Sequence, residues 1–208
     1  DFRRAIANDP AYATAYQWYG ELLAVEGQTE AALEQLEIAR RADPLSPIIS
    51  HVKGWLSMGP DQPEVSEAYF QEVLKIDPHF QSSLYSLIMV KTWMGQFDQA
   101  RALSMEHAAL LDYDPVIEQA VIDAVENPAL TGRALALIDA DSVMPNGVIG
   151  KAEQLMLLNR PELALNNLEL GFAEGDPYAV HMKRMNIFRP LHDDPRFQAL
   201  LTKMNMWP

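Results

Sequence analysis

Apolar residues recur along this chain at helical spacing, and the pattern itself recurs. Leu36, Ala39 and Pro44 repeat the arrangement of Phe2, Ala5 and Pro10. Further on, Val116, Ile117, Ala120, Val121 and Ala124 line one face of another helix. The breaks between such faces carry a fixed mark: Asp9-Pro10, Asp43-Pro44 and Asp77-Pro78 stand 34 residues apart. Proline lacks an N–H and clashes with the turn before it, and it pushes its predecessor out of the α region. Each Asp-Pro therefore closes one group of helices and begins the turn to the next. A period of this length predicts stacked helix-turn-helix units and an all-α chain.

The residues between the breaks fit a known pattern. In 13–46, Tyr16, Tyr19, Gly20 and Leu23 match W-x2-L-G-x2-Y, and Ala32, Leu36, Ala39 and Pro44 match A-x3-F…P, with Gly27 between the halves. In 47–80, Gly54, Phe70 and Pro78 hold the matching places while Ser66 replaces the alanine. In 81–114, Leu84, Leu87, Gly95 and Ala100 match, and Asp112 replaces the proline. The chain resembles the tetratricopeptide repeat (TPR) family over most of its length. That resemblance implies a right-handed α-solenoid. Residues 1–12 read as the second helix of a truncated repeat, with the array expected to continue upstream; the alternative is a divergent N-terminal cap. A short degenerate repeat follows at 115–144, with Ala134 one period after Ala100. Residues 145–178 form a repeat-like unit with Leu155, Ala164, Leu168 and Asp176 in place and an Asn146-Gly147 turn near its start. Gly59 to Pro63 predicts an extended, exposed loop.

The tail at 179–208 leaves the period. Helices are expected near 178–186 and 194–205 as end caps, with Phe188, Leu191, Phe197, Leu200 and Leu201 covering the last apolar face. The run from Ile187 to Leu201 also resembles the C-terminus of bacterial signalling proteins that carry TPR arrays. Those are membrane-spanning winged-helix transcriptional activators, and adenylate cyclases or kinases with C-terminal repeats. The likeness implies a regulatory parent protein, bacterial, in signal transduction or transcription regulation. It leaves the compartment open between cytoplasm and periplasm.

Charge and composition narrow the chemistry. The net charge of −13 argues against a nucleic-acid surface, which needs basic patches. No apolar run reaches the roughly 18 residues that span a bilayer. There is no cysteine, hence no disulfide or thiolate metal site. The five histidines His51, His79, His107, His181 and His192 form no i, i+4 pair and no H-E-x-x-H. His79 and His192 lie beside turns and are expected in solvent. Phosphate-binding and nucleophile-elbow motifs are absent from the sequence. The expectation is a chain without catalysis, metal or cofactor. Charge is also polarised: Lys183, Arg184, Arg189, Arg196 and Lys203 against Asp193 and Asp194 give 178–208 a net +3, leaving −16 for the rest.

The family resemblance implies that the first helix of each repeat lines a concave groove. By register its positions are Thr14, Gln17 and Glu21, then Ile48, His51, Trp55 and Met58, then Ser82, Tyr85, Met89 and Trp93, then Val116, Gln119 and Asp123. No Lys or Arg stands among them, so the family's carboxylate clamp is not expected. Aromatics and methionine are enriched in recognition surfaces. His51, Trp55, Met58, Tyr85, Met89, Trp93 and Gln119 are therefore the candidate binding residues, and a protein or peptide segment the candidate partner. The competing reading is that Trp55 and Trp93 pack between repeats, or that another part of the parent fills the groove. A spacer or dimerisation arm, with a homodimer as its product, and a small-molecule sensor built on His51, Tyr85 and Gln119 stay open.

Overall fold

A computed structural model describes residues 1–140, 147–176 and 179–204. Among these the chain is all-helical. The α-helices are α1 (Phe2–Asn8), α2 (Ala13–Val25), α3 (Thr29–Ala42), α4 (Pro47–Leu56), α5 (Pro63–Ile76), α6 (Gln81–Trp93), α7 (Phe97–Leu111), α8 (Val116–Glu126), α9 (Thr131–Ala140), α10 (Gly147–Leu157), α11 (Pro161–Glu174) and α12 (Pro195–Lys203). Three 3₁₀ segments join them at Pro128–Leu130, Ala179–Arg184 and Asn186–Leu191. The helices pack as sequential neighbours: α2 on α3, α4 on α5, α6 on α7, α8 on α9 and α10 on α11, with α3 on α4, α5 on α6 and α7 on α8 linking the pairs. The first helices of the pairs also meet, α2 with α4, α4 with α6 and α8 with α10. They form a common inner face.

Local chemistry sets these boundaries. Asp9, Asp43 and Asp77 each end a helix in extended backbone, with the N–H still donating to Ala5, Ala39 and Val73 carbonyls. The following proline makes continuation impossible. Within three of the pairs the turn is the same Schellman motif. Gly27, Gly95 and Asn159 take positive φ, and the next N–H reaches back to Leu23, Lys91 and Leu155 at 2.8 to 2.9 Å.

Packing within the pairs depends on small residues in one register. Ala32, Ser66, Ala100 and Ala134, each 34 residues apart, are fully buried. Gly54 on α4 lies close against α5; a Cβ there would lie 2.8 Å from Phe70 Cε1 and 3.0 Å from Tyr69 Cβ. Part-buried ion pairs join successive pairs: Lys53 Nζ to Glu37 and Lys91 Nζ to Glu67, both at 2.5 Å.

Two expectations are corrected. The Gly59–Pro63 loop is only partly exposed, since Gly59 and Pro63 are buried. The tail covers it: Asn186 Nδ2 donates to the Leu56 carbonyl at 3.1 Å, and Arg189 pairs with Asp61. The tail itself begins with two 3₁₀ segments where an α-helix was expected. Ala179, Met182, Met185, Phe188 and Leu191 are all buried and stand three apart. Within each 3₁₀ segment, at three residues per turn, this spacing keeps the apolar residues on one side, whereas on an α-helix it would drift off the contact face; the two segments meet at Met185, whose backbone is extended. The Asn146 half of the expected Asn146-Gly147 turn, and the boundary at 144/145, lie outside the described residues.

The close approach at Gly54 predicts that Gly54→Ala destabilises the fold by about 1–3 kcal/mol, because Phe70 and Tyr69 are both packed. At Gly132 a Cβ meets nothing within 4 Å, so Gly132→Ala should gain up to about 1 kcal/mol from helix propensity alone. Chemical denaturation of the two variants checks both signs.

Candidate binding site on the inner face

The inner face is not empty of protein. The 3₁₀ tail lies against it, touching α2, α10 and α11. Ala179, Met182 and Met185 supply the ridge, and His181 and Arg184 stand three apart on an adjacent side. The Arg184 guanidinium reaches between two groove positions. Its Nη2 lies 3.6 Å from Glu21 Oε2, its Nη1 donates to the Glu21 carbonyl at 3.3 Å, and its Cζ sits 4.5 Å above the Trp55 ring. The side chain is only 5 % exposed. Burial lowers its affinity for its proton, and Glu21 opposes that. His181 packs edge-on against Trp55 at 5.6 Å, and burial, with Arg184 beside it, holds its pKa down to about 4.

Tail and inner face together bound a half-enclosed cavity of about 420 Å³. Ile48, Val52, Trp55, Met58, Met89, Leu111, Ile149 and Met185 form its apolar wall. The polar groups converge from four elements. His51 on α4 bonds Ser83 Oγ through Nδ1 at 2.9 Å, and burial lowers its pKa to about 4. Tyr85 on α6 donates its hydroxyl to Glu153 Oε2 at 3.1 Å and accepts from Gln154 Nε2 at 3.2 Å. Glu153 on α10 is 6 % exposed. Burial pushes its carboxyl up to about 8, with the Tyr85 hydrogen bond opposing and Asp176 adding to the rise. His107 on α7 rests 5.9 Å from the Tyr85 ring, and its Nδ1 bonds Tyr113 Oη at 2.9 Å, which donates to Glu118.

Of the candidates read from sequence, His51, Trp55, Met58, Tyr85 and Met89 share this cavity. Two do not. Trp93 is part-buried against the main core cluster, because it lies at the last turn of α6 beyond the cavity. Gln119 turns toward α7, where its Nε2 donates to the Arg101 carbonyl at 3.0 Å. The polar face of α8 is drawn to α7 because Arg101 also binds Asp123 and Glu126. His192, expected in solvent, stacks on Phe197 at 5.5 Å with its Nε2 buried.

Glu153, Ile149 and His107 were missed by the sequence reading. A signal for the first two existed. Ala164 stands where Ala100 does, and the same 64-residue offset carries Tyr85 to Ile149 and Met89 to Glu153. His107 occupies the register of Ala39 and Val73, a core position in the earlier pairs. A polar residue there breaks the repeat pattern at the cavity wall.

Among the described residues no group of three or more His, Cys, Asp or Glu side chains could hold a metal ion. None of their helices is long and apolar enough to cross a membrane. No protein-family model matches the chain, and no curated protein matches it. Fold and site thus define a class: an all-helical chain of sequential, repeat-like helix pairs whose inner face holds its own C-terminal segment beside a polar-lined cavity.

The buried carboxyl of Glu153 makes stability depend on pH. Unfolded, it releases its proton near 4.5; folded, near 8. The folded state therefore holds the extra proton between these values, and stability from this group falls as pH rises through that window. The Glu153→Gln chain keeps an acceptor for Tyr85 and lacks the titration. Its stability relative to wild type should rise from pH 4.5 to 8 with a slope approaching about 1.4 kcal/mol per pH unit. His51 and His181 act oppositely between 6.5 and 4, but they cancel in the difference. Urea denaturation of both chains across this range reads the slope.

Proposed function

We propose that this chain is a non-catalytic protein-interaction module, a right-handed α-solenoid of the tetratricopeptide type. It serves as the regulatory or sensory arm of a bacterial signalling protein, and its inner face binds a protein segment. The 34-residue spacing of the pair starts Ala13, Pro47 and Gln81 supports the repeat reading, as does the shared register of Ala32, Ser66, Ala100 and Ala134.

One observation carries the binding reading: the inner face already accommodates a chain segment, with a cation on Glu21 and Trp55 and an apolar ridge alongside. A partner segment with an arginine flanked by apolar residues three positions apart has the chemistry to take the same seat. The tail residues 179–186 are suited to yielding it. Their seat leaves His181 Nδ1 and Arg184 Nε buried without a hydrogen-bond partner among the described residues, and each such atom costs about 1–3 kcal/mol. The following residues, Ile187, Phe188, Leu191, Phe197, Leu200 and Leu201, are all buried and anchor the tail independently.

A capped synthetic peptide of residues 179–186, titrated by NMR to millimolar concentration, tests this. The Arg184→Ala chain, whose own segment is loosened, should bind the peptide at least tenfold more tightly than wild type. Adding Trp55→Ala should abolish binding while circular dichroism stays helical. Peptide binding that ignores Trp55, or no binding to the Arg184→Ala chain, refutes the proposal.

A further inference from the structure

The cavity beside the tail contains a second acidic seat, distinct from the one Arg184 fills. On the first seat, a carboxylate and an aromatic ring hold a cation: Glu21 and Trp55 around the Arg184 guanidinium. The second has the same composition. Glu153 projects from α10, with Tyr85 from α6 donating to one oxygen and the His107 ring packed on Tyr85. Among the described residues, the structure gives Glu153 this one hydrogen bond and no ion pair. The buried lysines are committed elsewhere, Lys53 to Glu37 and Lys91 to Glu67. A carboxyl removed from water is costly to ionise unless a cation accompanies it. The wall around it is apolar and methionine-rich, and the cavity of about 420 Å³ falls in the size range of small-molecule sites.

We infer that this cavity is a binding site for an amphipathic ammonium compound, with its amine on Glu153 and Tyr85 and its apolar body along Trp55, Met58, Met89 and Ile149. The assignment goes beyond the binding of a protein segment and does not depend on it.

Among the described residues, the groups that face Glu153 offer no unpaired cation. Tyr85 is a neutral hydroxyl, and Asp176, after α11, is a second carboxylate whose charge acts on Glu153. His51 on α4, His107 on α7 and His181 in the tail are all held toward the neutral form by burial. Arg184, the cation lining the cavity, is paired with Glu21. An ammonium group would bring Glu153 to its ionised form and displace the proton that burial retains there at neutral pH. Octanoate, bearing the opposite charge, would have to bury a carboxylate beside Glu153 where the cation lining the cavity is already paired with Glu21.

The test is calorimetric titration of the full chain with octylamine, octan-1-ol and sodium octanoate at pH 7. Octylamine should bind at least tenfold more tightly than octanol, and octanoate should not bind. Octylamine binding should release a proton, read from the change in heat between buffers of different ionisation enthalpy. This readout needs no variant. Glu153→Gln should weaken octylamine at least tenfold and leave octanol unchanged, with its melting curve confirming the fold. Leu-Leu-amide carries the same ammonium at a peptide end. If it binds tighter than octylamine, the amine comes from a chain terminus; if weaker, from a free amine, and either supports the assignment. Octylamine binding no better than octanol, binding without proton release, or equal binding to Glu153→Gln overturns it.

Discussion

The organisation of the inner face depends on one charge that the tail carries into it. Arg184 is buried between Glu21 and Trp55. A buried ion pair is weak evidence for stability, because desolvation offsets the attraction, yet removal of either partner leaves an uncompensated charge and is strongly destabilising. Here the contact is long, at 3.6 Å, and Nε finds no partner among the described residues. The arginine therefore fixes where the tail lies more than how tightly it is held. Tightness comes from the apolar side chains. Burial of Phe188, Leu191, Phe197, Leu200 and Leu201 is worth about 1.5–3 kcal/mol apiece. The exposed pairs Arg189–Asp61 and Arg196–Glu169 are screened by water and add little. The basic tail on the acidic body is thus held by area, with charge setting register.

This division separates two parts of the tail. Residues 187–201 are an anchor. Residues 179–186 are a thinner layer, held by Ala179, Met182 and Met185 and burdened by two unsatisfied polar atoms. Beneath that layer lies the cavity with Glu153. The same face offers one seat occupied by the chain's own cation and one carboxyl with a tyrosine hydroxyl and, among the described residues, no cation of its own. Both readings of function follow from that pair of seats, one for a segment and one for a small amine.

Much of the fold could be read from the sequence, because it rests on local rules. Asp-Pro at three equal steps stops helices by sterics, and Gly27 and Gly95 mark turns that need positive φ. Five of the seven candidate site residues meet at the cavity, since the helical register that selected them is a property of the first helices. Trp93 and Gln119 shared that register and still turned elsewhere. Where a helix ends and what its neighbour offers, such as Arg101 beside α8, are tertiary facts. Glu153 was missed because the register was not carried past the short fourth unit. The tail departs from the expected α-helix because its apolar stripe has period three. That stripe, 179, 182, 185, 188 and 191, is visible in the sequence once 3₁₀ geometry is considered.

The central claim is that residues 179–186 lie on the inner face. The chain has no cysteine, so two can be introduced for spin labels without competition. Leu22 on α2 and Val180 in the tail are both exposed, and their elements are in contact. Double electron–electron resonance between labels at these sites measures the separation directly. The account predicts a single narrow population at short distance, which broadens and lengthens when Arg184 is replaced by alanine. A broad, long distribution in the otherwise unaltered chain would contradict it.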